Sequence, residues 1–457
     1  MSLKNKLAQR KEWQKGVKHC TFDPMGPGVV RIHLVPPKFS LFGNPSHIVI
    51  LNGYYLLPLG YSWAVMLSCF MDEVNAFHGK EITPAEEEYI FSQTISKTKK
   101  VYPSVDKTLL EDDLGEMLEV LFAVARGEKT EAAIESLSLQ EYAKHMTAPH
   151  RMDLMISAMA DGKGNRRCNQ NCLFCYAEKE PMGTASELST EEWKRILDTL
   201  RDSRVPMVTF TGGEPTMRED LPELVEHAKW FITRLNTNGV LLSETLCEQL
   251  KDASLDSVQI TLYSHEEAVH NRLVGSTHFA DTVKGIRNAL AAGLDVSVNT
   301  PLCAANRDYG KTLSFLQELG VRFVTLSGLI LTGNAAETAE KQLTEDELFE
   351  IVKEAKSFCV AHGMEMDFTS PGLISREKLE ALGLHVPVCG ACLSNMAVAP
   401  DGTVIPCQSW LKADSGLGNL LTDNWKTIWK HPRCQKLRSM TEREAEACPF
   451  RKEARHG

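Results

Sequence analysis

The chain is expected to fold as an α/β protein, with a parallel sheet curled into a partial (β/α)6 barrel. Two observations carry this expectation. Between residues 152 and 370, short β-rich runs alternate with amphipathic helical segments, and strand–helix repetition of this kind gives parallel strands with right-handed crossovers. The residues able to carry chemistry cluster directly after these runs, and barrels of this class do their chemistry at the C-terminal ends of the strands. The strand candidates are MDLMISAMA (152–160), MVTFTG (207–212), RLNTN (234–238), SVQITLYS (257–264), DVSVNTPL (295–302), VRFVTLSGLI (321–330) and MEMDFTS (364–370). Helix ends are marked between them. Ser189 and Glu192 have capping-box spacing. A helix from Phe279 to Ala292 stops at Gly293, and another from about Thr344 to His362 stops at Gly363.

The 457 residues are too many for one ordinary core and divide into three expected domains, 1–150, 151–370 and 371–457. In the first, VVRIHLV (29–35) and HIVILNG (47–53) read as strands, and 59–77 and 110–127 as helices. This α+β segment carries no chemical motif; it either packs or grips a substrate. The net charge of −10 argues against general nucleic-acid binding. No apolar run approaches the roughly 18 residues that span a bilayer. The basic N-terminus lacks the apolar core of a signal peptide, so a cytoplasmic protein is expected, with no membrane or nucleic-acid partner. An odd count of 13 cysteines speaks against a disulfide framework.

Cys168, Cys172 and Cys175 follow the first strand in RRCNQNCLFCYAE. Three thiolates on one short loop suit three irons of a cubane and leave the fourth iron open, whereas a structural zinc site wants four protein ligands. After the second strand comes Thr211-Gly212-Gly213-Glu214-Pro215-Thr216. Its glycines permit close backbone approach and unusual φ, and Glu214 offers a carboxylate to an ammonium. Asn236 and Asn238 end the third strand, Gln259 and Thr261 share one face of the fourth, and Asn299 lies on the fifth.

From residue 152 to the C-terminus the sequence resembles the radical S-adenosylmethionine (SAM) superfamily. CNQNCLFCY matches its CxxxCxxC loop, with the aromatic Tyr176 after the last cysteine, and GGEP matches its cofactor shelf. The resemblance implies a [4Fe–4S] cluster on Cys168, Cys172 and Cys175 whose open iron chelates S-adenosylmethionine. One-electron cleavage then yields a 5′-deoxyadenosyl radical that abstracts hydrogen from substrate. It also implies that Tyr176, Gly212, Gly213, Glu214, Asn236, Asn238, Thr261 and Asn299 surround the cofactor, with Glu214 on the methionyl amine. The HDxIRG-like segment of related enzymes reads His270-Asn271-Arg272-Leu273-Val274-Gly275 here. Valine stands where arginine is usual, and Arg272 could replace it only in another register.

Cys389-x2-Cys392 precedes AVAPDGTVIPC, which ends at Cys407. Asp401-Gly402 reads as a hairpin turn that returns Cys407 towards Cys389 and Cys392. Gly402-x4-Cys407, GNL (418–420), Trp425 and Trp429 resemble the SPASM or Twitch extension, which holds auxiliary [4Fe–4S] clusters. Only Cys434 and Cys448 remain downstream, so one auxiliary cluster is expected, on Cys389, Cys392, Cys407 and Cys448. Cys434 falls where a hydrophobe is usual, and zinc is the alternative for this group. Cys303, after the fifth strand, would stand at the cavity mouth as a catalytic hydrogen-atom donor; the alternative is a buried packing cysteine.

The resemblance points to an oxidoreductase-type enzyme that modifies a ribosomally made peptide by crosslinking, epimerisation or oxidation. Its electron donor would be a flavodoxin or ferredoxin. Action on a small molecule is the second reading, and an iron–sulfur carrier or scaffold the third.

Overall fold

The computed structural model describes residues 18–22, 30–36, 47–52, 55–77, 82–125, 137, 139–143, 146–160, 167–443 and 448. It divides into two compact units. The first comprises 1–147 with 201–206 and 230–232; the second comprises 148–200, 207–229 and 233–457. The C-terminal segment thus belongs to the second unit.

The first unit is an antiparallel meander of β1 (Lys18–Phe22), β2 (Val30–Val35), β3 (His47–Leu51) and β4 (Tyr55–Leu59). Helices Tyr61–Asn75, Pro84–Val101 and Lys107–Ala125 follow. Ile32, Val49, Leu67, Met71, Ile95 and Leu114 are among the residues of one apolar core formed by strands and helices together. Helix Pro84–Val101 was not expected, because its sequence is polar. Its start is nevertheless well encoded, with a Thr83–Glu86 capping box and proline in the first turn.

The second unit is built on parallel strands β5 (Arg151–Ser157), β6 (Met207–Gly212), β7 (Ile232–Thr237), β8 (Ser257–Thr261), β9 (Asp295–Leu302), β10 (Phe323–Gly328) and β11 (Glu365–Phe368). Every expected strand is present, and the sheet order is β11-β10-β9-β8-β7-β6-β5. Along β9 the burial alternates with period two, which sends Ser297 and Asn299 to one face and Val296 and Val298 to the other. The helix caps behave as expected: Ser189 and Glu192 exchange hydrogen bonds, and Gly293 and Gly363 take φ of 70° and 64°.

The sheet does not end at β5. Strand β12 (Asn395–Val398) pairs parallel with β5, and β13 (Thr403–Ile405) and β14 (Gly418–Asn419) extend it as antiparallel strands. The Asp401-Gly402 turn forms as read, with Gly402 at φ 86° and the Thr403 amide donating to Asp401 Oδ1 over 3.0 Å. Trp425 and Trp429 stack with centroids 5.8 Å apart. Among the described residues no helix is long and apolar enough to cross a membrane.

A candidate cluster and cofactor site

Strands β5 to β10 curl around one cavity of about 560 Å³, and all three cysteines of the first loop line it. The loop after β5 is held in place from two sides by backbone hydrogen bonds. On one side, helix Glu267–Val274 ends against it: the Asn171 amide donates to Val274 O and the Leu173 amide to Leu273 O, at 2.9 and 2.8 Å. This explains the departure at Val274. Val274 is buried with Phe174 and Leu273 in an apolar cluster beneath the loop, while Arg272 is exposed and outside the cavity lining. His270 is buried, takes the Tyr263 amide on Nδ1 at 3.3 Å, and is kept neutral because burial lowers its pKa to about 4.

On the other side stands Gly333-Asn334, which the sequence reading passed over. The Asn334 amide donates to Cys175 O at 2.9 Å and its side-chain nitrogen to Cys172 O at 3.2 Å. Gly333 has φ 55°, and a Cβ there would lie 2.6–2.7 Å from the carbonyl oxygens of Cys175, Tyr176 and Glu178. The signal was a Thr-Gly-Asn turn soon after a strand, which composition alone assigns to any loop. Gly333→Ala is expected to displace the loop and lower cluster occupancy at Cys168, Cys172 and Cys175. The check is iron content with visible absorbance, and normal values would dismiss the clamp.

The glycine pair after β6 is a close-approach device. Gly212 has φ 137°, and a Cβ on Gly213 would lie 2.3 Å from Ala158 O and 3.0 Å from Arg167 O. Arg218 braces this turn: it donates to Ile156 O and Leu188 O and pairs bidentately with Asp220.

Glu214 is the most constrained of the expected cofactor residues. It is 1% exposed. Its Oε1 accepts from the Thr216 amide, the Thr216 hydroxyl and the Thr237 hydroxyl at 3.0, 2.5 and 2.6 Å. Its Oε2 accepts from the Asn238 amide at 2.9 Å. Burial pushes its pKa up, and these donors pull it down. Asn238 lines the cavity as expected, and its side chain also positions the cluster loop, donating to Asn169 Oδ1 at 2.6 Å and accepting from the Val240 amide. Asn236, Thr261 and Asn299 line the cavity, and Asn236 Oδ1 is shielded without a protein partner. Asn299 accepts from Thr325, which accepts from Gln259. Tyr176 lines the same space, hydrogen-bonded to Thr211, and burial raises its phenol above the ordinary value.

Cys389, Cys407 and Cys448 line the same cavity. Cys389 and Cys448 are hydrogen-bonded, and this contact, with burial, pushes the Cys389 thiol well up. Burial raises Cys407 to about 12. Cys392 is not with them in the cavity lining. It is fully buried and hydrogen-bonded to Cys434, and Arg438 Nη2 donates to Cys434 Sγ at 3.1 Å. The Cys392 contact lowers the Cys434 thiol below its ordinary value, aided by Arg438, which also stacks 3.4 Å from the Trp429 ring centroid. Cys434 is fully buried on its helix, as expected, and is in addition a polar partner of Cys392 and Arg438. Among the described residues no three His, Cys, Asp or Glu side chains converge tightly enough to hold one ion.

Cys303 does not stand at the cavity mouth. It is fully buried among Phe174, Tyr263, Leu273 and Leu329, outside the cavity lining. The chain after β9 turns inward there, with Asn306 Oδ1 accepting from the Cys303 amide. The expected hydrogen-donor role is not carried further.

Residues 164–316 match the model of the radical SAM superfamily, and residues 389–450 match the SPASM iron–sulfur cluster-binding domain. The chain carries a radical SAM domain followed by a SPASM domain. It is 31% identical over 185 residues to the Fe-coproporphyrin III synthase of Methanosarcina barkeri, covering 40% of this chain and 46% of that one. It is 29% identical over 283 residues to the AdoMet-dependent heme synthase of Oleidesulfovibrio alaskensis, covering 58% and 72%. The chain thus spans less than half the length of the first of these relatives. In fold it is similar to Streptococcus suis SuiB, solved with precursor peptide SuiA and also with S-adenosylmethionine. The peptide-bound structure has a TM-score of 0.57 at 15% identity, covering 86% of this chain and 87% of that one. The radical SAM domain implies a [4Fe–4S] cluster and S-adenosylmethionine, and the SPASM domain implies auxiliary iron–sulfur binding. The residues fit such groups: thiols on one loop face a cavity, beside glycines with no room for a Cβ and an unpartnered Asn236 oxygen.

Proposed function

We propose that this radical SAM enzyme modifies a ribosomally made peptide. The observation that carries the reading is the N-terminal unit, a four-stranded antiparallel sheet with helices ahead of the radical SAM and SPASM domains. The similarity to the peptide-bound structure covers more of the chain than the second unit contains, so it reaches into this unit. The edge strand β1 offers backbone hydrogen-bonding groups on which an extended peptide can add a strand, whereas on β4 the Leu56 carbonyl is taken by the Leu137 amide and Pro58 has no N–H.

When bound, the cluster and S-adenosylmethionine supply a 5′-deoxyadenosyl radical that abstracts substrate hydrogen. Cys168, Cys172 and Cys175 hold that cluster, and Glu214 Oε2 receives the methionyl ammonium. Asn236, Thr261, Asn299 and Tyr176 line the remaining cofactor space. Asn238 holds the cluster loop through Asn169. Cys389, Cys407 and Cys448 hold the auxiliary cluster, and the Cys392–Cys434 pair supplies the fourth thiolate. Cys392→Ser and Cys434→Ser identify the ligand. The variant that loses about half of about eight irons carries it, and full iron in both would remove the pair from the cluster. A small flavodoxin or ferredoxin delivers the electron.

The decisive experiment co-expresses the protein with each short reading frame beside its gene and measures the peptide mass. A mass change that disappears in Cys168→Ala is expected. Unmodified peptides throughout, with a tetrapyrrole side chain altered instead, would favour the small-molecule reading. The resemblance to the AdoMet-dependent heme synthase is what keeps that reading in view.

A further inference from the structure

The floor of the cavity carries a charge that the cluster and cofactor residues do not use. Arg151 opens β5, and Asp153 lies two residues on, facing the same side. Arg234 and Asn236 stand in the same relation on β7. All four line the cavity. Arg151 Nε lies 3.0 Å from Asp153 Oδ1, so this pair is neutral as a unit. Arg234 is left over. Among the described residues it forms no ion pair, and its Nε is shielded with no hydrogen-bond partner. Arg151 repels it, and Asp153 and Asp295 attract it without pairing with it. Asp153 Oδ2, Asn236 Oδ1 and Thr209 Oγ1 are also shielded without partners. Thr209 sits opposite Asp153 in the β5–β6 register and lines the same cavity.

A guanidinium in this position has donors in a planar fork, and among the described residues no carboxylate pairs with it to receive them. Burying an unpaired charge is costly, and a planar carboxylate is the group whose geometry matches that fork. A carboxylate would accept the Arg234 donors directly, with Thr209 and Asn236 on the same cavity lining to hydrogen-bond neighbouring polar groups. The same cavity runs from the Cys168–Cys175 loop to Cys389, Cys407 and Cys448. A substrate anchored on its floor would therefore lie in the space that both cysteine groups face.

We propose that Arg234, assisted by Arg151, binds a carboxylate of the substrate, so that the modified segment presents an acidic side chain or a free C-terminus to the cavity. This rests on the peptide reading above and narrows it to an acidic peptide segment. Neither arginine belongs to the CxxxCxxC loop or the GGEP shelf.

The test uses reconstituted holoenzyme with glutarate as probe and glutaramide as its neutral isostere, read by ligand-observed saturation transfer. Wild type is expected to bind glutarate at least about tenfold more tightly than glutaramide, the scale of one charge-assisted hydrogen bond. Arg234→Gln should remove that preference, Arg234→Lys should retain part of it, and Arg151→Gln should weaken it. Iron content and cluster absorbance report whether each variant is folded. The wild-type comparison needs no variant. Glutarate binding no tighter than glutaramide, or an unchanged preference in folded Arg234→Gln, would overturn the proposal and leave the floor a structural polar network. A modified peptide alongside indifference to glutarate would sink this proposal alone. Glutarate preference with a tetrapyrrole altered and no peptide modified would keep the carboxylate site and sink the peptide reading.

Discussion

The combined variant Cys168→Ala, Cys172→Ala and Cys175→Ala is expected to purify folded, to retain about four of about eight irons, and to cleave no S-adenosylmethionine. The iron figures follow from two cubanes held on separate groups of thiolates. The loop's shape does not depend on the sulfurs, because its amides donate to the Leu273 and Val274 carbonyls and its own carbonyls accept from Asn334. Folding should therefore survive while the open-iron site is lost. The auxiliary cysteines come from the segment after β11 and should keep their iron. Iron and sulfide analysis, with chromatography of 5′-deoxyadenosine after dithionite reduction, decides the matter. Residual cleavage at the wild-type rate would remove the cluster from this loop and overturn the site.

Replacing Glu214 has the second largest expected effect, and it is structural as well as functional. Glu214→Ala leaves the Thr216 amide and hydroxyl, the Thr237 hydroxyl and the Asn238 amide without their acceptor. Buried donors left unpaired cost about 1–3 kcal/mol each. The two hydroxyls can turn to other acceptors, so a net loss of about 2–4 kcal/mol is expected in urea unfolding of the holoprotein. Glu214→Gln keeps the volume and Oε1's role but sets an amide against the Asn238 N–H. It should retain more stability than the alanine variant while binding S-adenosylmethionine at least about tenfold more weakly, because the ammonium loses a charge-assisted partner. Equal affinity in wild type and Glu214→Gln would dismiss the ammonium role. The pH dependence has a definite sign. Burial raises the Glu214 pKa in the folded state, so its stabilising contribution is present at low pH and is lost as pH rises through that raised value. Wild type should therefore lose stability relative to Glu214→Gln with rising pH. Cofactor affinity should run the other way, since only the ionised carboxylate pairs with the ammonium.

The sequence alone determined the parallel sheet, the cluster loop and the glycine shelf. Each is a local property. A strand announces itself by β-rich composition and flanking turn residues, and CxxxCxxC and GGEP place their groups within a few residues of one another. The Asp401-Gly402 hairpin was legible for the same reason, since the turn chemistry is contained in two residues.

Tertiary structure decided the contacts between residues far apart in the chain. Nothing near Gly333-Asn334 says that it will meet the carbonyls of Cys172 and Cys175, more than 150 positions earlier. Cys303 and Cys434 had opposite outcomes for the same reason. One fell into an apolar cluster and the other against Cys392 and Arg438, yet each is an isolated cysteine in the sequence. Arg234 begins one ordinary-looking strand pattern and Arg151 immediately precedes another, and period two says only that each faces one side of the sheet. Curling the sheet turned that side into a cavity, which brought the two guanidiniums to one floor and left Arg234 without an ion-pair partner among the described residues.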